Sequence, residues 1–396
     1  MASVKPPKYV RQVLVTLQSR GYPAYLVGGC VRDMLLGIRP QKWELCTGAL
    51  PEQILALFPG SFPSDARQGV LSVPVDSHGL EVTTLRAEGE EEARTPPDTG
   101  RAAAALTADL GRRDFTINAI ALSADGLIAD PFGGAEDLRR QLIRCVGDPE
   151  QRFEDDPLRM FRAMRLSAKL GFNIDLFTME GIRSRAPLAA SLPAVSVRDE
   201  VEKLLLTPSP ETLYTLIELG LLDAFLEPGL PDPVLLCRLA RLPRKAQPRW
   251  AALCHVLRRC GCIRSAEAFL GALHLDRTSV CMAADCCLIL EAPLPRSDLE
   301  RKKLLRRFGV ETVRCALSCM DAFNGGHESR ELRRILKSGE CFSLKHLAVS
   351  GDELQALGLS GRAVGEMLDF LLDYVMEFPD NNRRELLLAL AAGSEE

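Results

Sequence analysis

Two adjacent glycines stand between an apolar stretch and a helical pattern near the beginning of the chain. The apolar stretch is Ala24–Val27, and Gly28 and Gly29 are followed by Arg32 and Asp33. Glycine lets the backbone approach a ligand closely, and the start of a helix offers free amide groups to an anion. Because Arg32 adds a positive charge, the combination predicts a triphosphate site. An ordinary tight turn would give the same pattern.

A second polar cluster, Arg112-Arg113-Asp114, is followed by Asn118. The two guanidinium groups could hold phosphates. The side chains of Asp114 and Asn118 could form hydrogen bonds with ribose hydroxyls. The alternative is a group of surface ion pairs at the end of a helix.

A third cluster lies at the start of a helical pattern, where Asp156 and Pro157 precede three arginines. Proline suits the first helical turn and aspartate suits the cap. Arg159, Arg162 and Arg165 recur every three residues and therefore share one side of the helix. An ionised aspartate only accepts hydrogen bonds and arginine only donates them, so Asp156 with Arg159 could read the edge of a nucleobase. A solvated charged helix face is the alternative.

The elements that position these clusters change in type along the chain. Residues 8–20 follow an amphipathic helical pattern, residues 24–27, 71–75, 80–85 and 127–129 are typical of strands, and residues 115–122 form a buried helix or strand. Residues 88–101 are charged and rich in proline and glycine, which predicts a mobile loop. After about residue 135 nearly all apolar residues recur at helical spacing. The sequence therefore predicts a small α/β part followed by a long helical part.

The charge balance restricts how the chain could bind nucleic acid. It has 49 Lys and Arg against 53 Asp and Glu, a formal charge of −4. Binding must therefore use a local basic surface. Arg301, Lys302 and Arg306 are candidates for contacts with RNA phosphates, although a solvated helix face explains them equally well.

Cysteine use and hydropathy indicate the class of protein. No stretch is long and apolar enough to span a membrane, and the first residues lack the apolar core of a signal peptide. The 13 cysteines are odd in number and include no C-x-x-C pair with a neighbouring histidine. We therefore expect free, mostly buried thiols in a cytoplasmic protein rather than disulfides or a zinc site.

In this order and spacing, the three clusters resemble class II tRNA nucleotidyltransferases and bacterial poly(A) polymerases. Further similar segments are Asp130-Pro131-Phe132-Gly133-Gly134 and the C-terminal Gly358-Leu359-Ser360-Gly361. The resemblance implies an α+β fold with a polymerase-β-like nucleotidyltransferase head. A helical neck, body and tail follow. The implied ranges are 1–138 for the head, 139–206 for the neck, 207–325 for the body and 326–396 for the tail.

The resemblance also implies an activity and its site. CMP and AMP would be transferred without a template from CTP and ATP to the 3′ end of tRNA, with Mg²⁺ and with no membrane or DNA partner. The triphosphate would contact the glycine turn with Arg32 and Asp33, and Arg113, Asp114 and Asn118 would contact phosphate and ribose. Asp156 and Arg159 would read the base, supported by Arg162 and Arg165.

One departure from the family pattern concerns the metal. The family carries Asp-x-Asp after the glycine helix, and this chain reads Lys42-Trp43-Glu44. A protonated lysine cannot bind Mg²⁺, which needs hard oxygen ligands. Either Glu44 and Glu81 hold one metal while Lys42 contacts the triphosphate, or the chain binds nucleotide or tRNA without transfer. Because a metal ligand and its charge are lost, we expect nucleotide transfer to be about a thousandfold slower than with the family's Asp-x-Asp. A poly(A) polymerase is a third possibility, because it needs the same nucleotide pocket.

Some relatives carry a His-Asp phosphohydrolase site in the helical body. His255 is followed by valine and not by aspartate. A core or surface histidine is therefore the expected role of His255.

Overall fold

The computed structural model describes residues 4–65, 70–76, 78–85, 99–293, 295–325 and 330–393. Most of the predicted loop at 88–101 lies outside these residues. The chain forms two compact units, Met1–Leu192 with Leu219–Leu221 and Pro193–Glu218 with Leu222–Glu396. The first unit contains the predicted head and much of the predicted neck, and the four-part division stays a prediction.

The first unit is built on a seven-stranded mixed sheet. Its strands are β1 (Ala24–Val27), β2 (Glu44–Thr47), β3 (Phe62–Asp65), β4 (Val70–Val75), β5 (His78–Thr84), β6 (Ala121–Ser123) and β7 (Ile128–Ala129). They lie in the order β3-β4-β5-β2-β1-β6-β7. Among these neighbours only β2 and β5 are parallel. The α+β fold class is thus confirmed, as are the strands expected around residues 24–27, 71–75 and 80–85.

Within its described residues, the first unit also contains eight α-helices and a small two-stranded sheet. The helices are α1 (Lys8–Ser19), α2 (Gly29–Leu35), α3 (Pro51–Leu57), α4 (Thr99–Gly111), α5 (Gly134–Arg139), α6 (Pro149–Asp155), α7 (Leu158–Leu170) and α8 (Leu176–Arg185), and the strands are β8 (Leu142–Ile143) and β9 (Asn173–Ile174). Helix α1 buries Val10, Val13, Leu14 and Leu17, which is the stripe that its periodicity predicts.

The segment expected as one buried helix or strand at residues 115–122 has two parts. Residues Thr116–Asn118 form a 3₁₀ turn, and β6 begins at Ala121. The carboxylate of Asp114 accepts a hydrogen bond from the Phe115 amide at 2.8 Å. Such a local side-chain bond competes with a continuous helix or strand. The turn places Asn118 back against Asp114.

The second unit is helical throughout its described residues. Its helices are α9 (Ala194–Leu205), α10 (Leu213–Glu218), α11 (Pro233–Arg238), α12 (Ala246–Arg259), α13 (Ala266–Ala272), α14 (Arg277–Glu291), α15 (Asp298–Phe308), α16 (Val310–Asn324), α17 (Arg330–Ser338), α18 (Gly351–Ala356), α19 (Arg362–Glu377) and α20 (Arg384–Ala392). In the described ranges no helix has the length and apolar character needed to cross a membrane.

Most thiols of the chain, and His255 in the second unit, are buried. All 13 cysteines are free, and ten of them are buried. The described residues contain no group of three His, Cys, Asp or Glu side chains suited to a metal ion. His255 is buried and its ring lies 5.5 Å from that of Phe323. Burial, followed by Arg259 and Arg258, lowers the pKa of His255. Its burial agrees with a core histidine, one of the two roles that the sequence leaves open.

The predicted RNA-phosphate patch on α15 is wrong at Lys302. Its side chain is 1% exposed, and its Nζ pairs with Glu340 at 2.6 Å and donates to the Met376 carbonyl at 3.0 Å. The basic run gave no sign that this position faces the core. Arg301 pairs with Asp298, and Arg306 pairs with Asp369 and Asp373. Their RNA contacts stay predictions.

Lys302→Met is expected to lower the free energy of unfolding by about 2 kcal/mol, because it removes two charge-assisted hydrogen bonds from a buried position. Urea denaturation followed by circular dichroism measures this change. The matched control is Lys303→Met at the next, exposed position, which should change stability by about 0.5 kcal/mol or less. A stable Lys302→Met variant with weakened RNA binding would restore the surface interpretation.

Candidate active site

A cavity of about 570 Å³ opens beside the sheet of the first unit. Four arginines and four carboxylates line it with three smaller residues: Arg112, Arg113, Arg159, Arg162, Glu44, Glu81, Asp109, Asp114, Val70, Thr83 and Thr84. They come from β2, β4, β5, the last turn of α4 with the three residues after it, and the first half of α7. Volume and charge suit a polar, multiply charged ligand of nucleotide size.

Two of the carboxylates lie on neighbouring strands at the same level. Glu44 on β2 is the register partner of Glu81 on the parallel strand β5, so their side chains emerge on one face of the sheet. Burial raises the pKa of Glu44, Arg113 opposes this rise, and Glu81 adds to it. Two adjacent carboxylates of this kind attract a cation. The predicted metal-binding role of this pair stays a prediction.

Arg113 holds a central position between acidic groups. Its Nη1 lies 3.6 Å from Glu44 Oε2, and its Nη2 lies 3.6 Å from Asp109 Oδ2. Arg112 pairs with the same aspartate at 3.1 Å. The two Arg113 distances are long for charge-assisted hydrogen bonds, and Arg112 uses its Nη2 for the hydrogen bond to Asp109. Each guanidinium group therefore keeps other N–H donors that a phosphate could use.

A hydrogen-bonded chain connects the glycine helix to the cavity. Arg32 donates to the Asp33 carboxylate at 2.8 and 2.6 Å and to Asn118 Oδ1 at 2.7 Å. Asn118 donates in turn to Asp114 Oδ1 at 2.9 Å. Arg32 is only 5% exposed.

This hydrogen-bond network changes the predicted roles of Arg32, Asp33 and Asn118. Asp114 lines the cavity, whereas Arg32, Asp33 and Asn118 are not among its lining residues. The prediction that Arg32 shares this cavity with Arg113 and Arg159 is therefore wrong, because the adjacent Asp33 carboxylate draws its guanidinium inward. In this structure Asn118 donates a hydrogen bond to Asp114, and Arg32 donates one to Asn118.

The start of α7 brings the predicted base-reading residues together. Asp156 Oδ2 lies 3.4 Å from Arg162 Nη1 and 3.8 Å from Arg159 Nε, and its Oδ1 accepts from the Leu158 amide at 3.1 Å. Arg159 and Arg162 line the cavity, and Arg165 does not. Asp156 itself does not line the cavity, but it contacts Arg159 and Arg162, which do. The predicted supporting role of Arg165 stays a prediction.

Lys42 lies outside this arrangement. It is exposed and precedes β2 by two residues, and it is not among the cavity-lining residues. The intervening Trp43 is 7% exposed. The contact of Lys42 with the triphosphate therefore stays a prediction.

Comparison with known proteins gives consistent matches along the chain. A family model described as "Poly A polymerase head domain" matches residues 24–144. A second model, described as "Probable RNA and SrmB- binding site of polymerase A", matches residues 171–232. The CCA-adding enzyme of Geobacillus stearothermophilus is 36% identical in an alignment of 398 positions. The alignment covers 98% of this chain and 97% of that protein. The chain belongs to the CCA-adding enzyme family.

Solved structures agree with this assignment. The Bacillus stearothermophilus CCA-adding enzyme in complex with CTP is 33% identical, covers 99% of this chain and 98% of its own, and has a TM-score of 0.83. A Thermotoga maritima CCA-adding enzyme, at 21% identity and a TM-score of 0.70 over 100% of this chain and 97% of its own, shares the fold. The predicted family is thus confirmed.

Sequence reasoning missed two features of this CCA-adding family member's site. Asp109 pairs with both Arg112 and Arg113, and the segment that carries it was not recognised as a helix. Alanine-rich residues from 102 onward were the available signal. Arg152, which holds the backbone at Arg113, was also missed, because it resembles any other charged residue of a surface helix.

Gly28 stands directly against the Arg113–Glu44 pair. A Cβ atom there would lie 2.5 Å from Arg113 Nη1 and 2.6 Å from Glu44 Oε2, and the φ of Gly28 is +77°. We expect Gly28→Ala to separate the two side chains and to weaken CTP binding at least tenfold, measured by isothermal titration calorimetry.

Gly37→Ala is the matched control for this substitution. Gly37 also has a positive φ, of +73°, with nothing within 4 Å of the added Cβ, so alanine there has a backbone cost of about 1 kcal/mol without a clash in the cavity. Equal losses of CTP affinity in both variants would show that the effect at Gly28 comes from the backbone and not from the cavity.

Proposed function

We propose that this chain adds CMP and AMP from CTP and ATP to the 3′ end of tRNA, and that Lys42 makes the transfer slow. The observation that carries this proposal is the joint lining of one cavity by Glu44, Glu81, Arg113, Asp114 and Arg159. Full-length similarity to CCA-adding enzymes supports the same activity. Solved relatives in complex with CTP, ATP or tRNA support the substrates.

Each part of the cavity has a role in this reaction. Arg112 and Arg113 bind the triphosphate, because their guanidinium groups keep donors that their carboxylate partners do not fully use. Asp114, fixed by Asn118, accepts a hydrogen bond from a ribose hydroxyl. Asp156 and Arg159 present an acceptor and donors to the base edge, which selects cytosine and adenine without a template strand.

The carboxylate pair fits one Mg²⁺ ion. Mg²⁺ is commonly bound through one or two carboxylates together with substrate phosphates, and Glu44 and Glu81 supply two at one level of the sheet. When bound, the ion would neutralise the triphosphate and make the RNA 3′-hydroxyl more acidic. Arg113 must shift from Glu44 to the phosphates for this carboxylate to become available. Lys42 provides no third carboxylate.

A non-catalytic nucleotide- or tRNA-binding role is the second candidate, and Lys42 is the observation that favours it. The two functions share the cavity but differ in outcome when tRNA is supplied. A poly(A) polymerase would use the same cavity and would differ in product length. One assay therefore separates all three.

The test is incorporation of labelled CTP and ATP, with Mg²⁺, into tRNA that lacks its terminal CCA. We expect slow addition of two C and one A residues, followed by arrest. The Glu81→Gln variant should lose this addition, and Glu180→Gln, an exposed residue on α8, should keep it. Continued A addition would indicate a poly(A) polymerase. Nucleotide binding without any incorporation, in the wild type and in the double variant Lys42→Asp with Glu44→Asp, would indicate the binding role.

A further inference from the structure

Three consecutive backbone carbonyls at the end of α4 are held by two arginines from α6 and α7. Arg152 Nη2 donates to the Gly111 carbonyl at 3.2 Å and to the Arg113 carbonyl at 2.8 Å. Arg159 Nη2 donates to the carbonyl between them, that of Arg112, at 3.2 Å. These carbonyls immediately precede Asp114. The backbone that delivers Arg112, Arg113 and Asp114 to the cavity is therefore fixed from the neck side.

The guanidinium group of Arg152 has few other close polar contacts among the described residues. Its side chain is 17% exposed, and its Nη1 lies 3.8 Å from Asp155 Oδ2, beyond hydrogen-bonding distance. Its Nε is buried without a hydrogen-bond partner among the described atoms. A cation at the end of α4 also interacts favourably with the partial negative charge of a helix C-terminus. The two carbonyl bonds are thus the main fixed contacts of this guanidinium group.

The backbone of Arg152 also contributes to the arrangement. Its carbonyl accepts a hydrogen bond from Arg159 Nη1 at 3.3 Å. One residue therefore contacts both halves of the site, the phosphate-facing loop through its side chain and the base-facing Arg159 through its main chain. A substitution at Arg152 removes the first connection and leaves the second.

We propose that Arg152 is a positioning residue of the nucleotide site, which sets the backbone path through residues 111–113 and so the directions of Arg113 and Asp114. Arg152 is not among the residues that line the cavity, so it acts through these neighbours and not on the ligand. The inference rests on the proposed function for the identity of the ligand, CTP or ATP.

The test compares Arg152→Met and Arg152→Lys with the wild type in the full chain. We expect Arg152→Met to bind CTP about tenfold more weakly. Arg152→Lys should give an intermediate affinity, because it keeps the charge with a single nitrogen. Hydrogen exchange of amides in residues 108–118, measured by mass spectrometry without nucleotide, should be faster in Arg152→Met. The ratio of CTP to GTP affinity should stay unchanged, since Asp156 and Arg159 remain in place.

Arg249 offers a matched control for a general loss of stability. It is a 1% exposed arginine in the second unit that also donates to backbone carbonyls, at 2.7 Å to Thr207 and at 3.0 Å to Leu242. Arg249→Met should lower the melting temperature without changing CTP affinity of the folded protein or exchange in residues 108–118.

Two results would overturn the role of Arg152. One is wild-type exchange in residues 108–118 of Arg152→Met, and the other is an equal loss of CTP affinity in Arg249→Met at matched folded fraction. If the wild type binds no CTP, the proposed function fails, while the exchange measurement still decides whether Arg152 fixes the loop. Arg152→Lys keeps the test valid if Arg152→Met does not fold.

Discussion

Replacing Lys42 and Glu44 together by aspartate is expected to raise the rate of CMP incorporation into tRNA about a thousandfold. The change restores the acidic pair that the family pattern has at these positions. It replaces an exposed ammonium group by a carboxylate beside β2 and shortens the Glu44 side chain by one methylene. A third carboxylate beside Glu81 would complete a site that the wild-type residues fill only in part. Single-turnover incorporation of labelled CMP measures the gain.

Three variants separate the possible causes of such a gain. Lys42→Ala removes the positive charge without adding a ligand, so its rate should rise much less than that of the double variant. Glu44→Asp alone should stay near the wild type. Arg39→Asp, at an exposed position three residues before Lys42, changes the net charge as Lys42→Asp does and should leave the rate unchanged. Rapid incorporation by the wild type, with no gain in the double variant, would contradict the proposed effect of Lys42.

Asp156→Ala is expected to remove most of the preference for CTP and ATP over GTP and UTP. The carboxylate provides the acceptor of the base-reading pair and also holds Arg162 at 3.4 Å. Loss of one bidentate base contact costs about 1–3 kcal/mol of discrimination, which corresponds to a change of about fivefold to 150-fold in the affinity ratio. Titration of each of the four nucleotides measures that ratio.

The control for Asp156→Ala lies in the same segment. Glu154 pairs with Arg185 at 2.8 Å, whereas Asp156 contacts Arg159 and Arg162, which line the cavity, so Glu154→Ala should keep the wild-type ratio. Arg159→Ala should resemble Asp156→Ala, because the donors of the pair are lost with it. Unchanged selectivity in Asp156→Ala would refute its role in reading the base.

The sequence predicted the frame of the fold well, for a physical reason. Periods of two and 3.6 residues follow directly from which side chains face the core, and the stripe of α1 and the strands β1, β4 and β5 are confirmed. Helix α4 was not predicted, because the charged and proline-rich residues before it indicated a loop that extended into its first residues. The pairing of β2 with β5, which sets Glu44 opposite Glu81, depends on contacts distant in sequence and could not be read from either strand.

The residue types of the site could be read from the sequence, but the directions of their side chains could not. Arg113, Asp114, Arg159 and Arg162 line the expected cavity. Arg32 and Lys302 do not follow expectation, because each is buried against a carboxylate. A sequence shows that a side chain is charged, but its partner is fixed by folding. For the same reason Arg152 gave no signal until its two carbonyl partners were seen.

A crystal structure of the chain with CTP tests the central claim most directly. We expect the triphosphate against Arg112 and Arg113, near Glu44 and Glu81, with the cytosine edge at Asp156 and Arg159. CTP bound outside this cavity, or a base edge turned away from Asp156, would contradict the assignment of the nucleotide site.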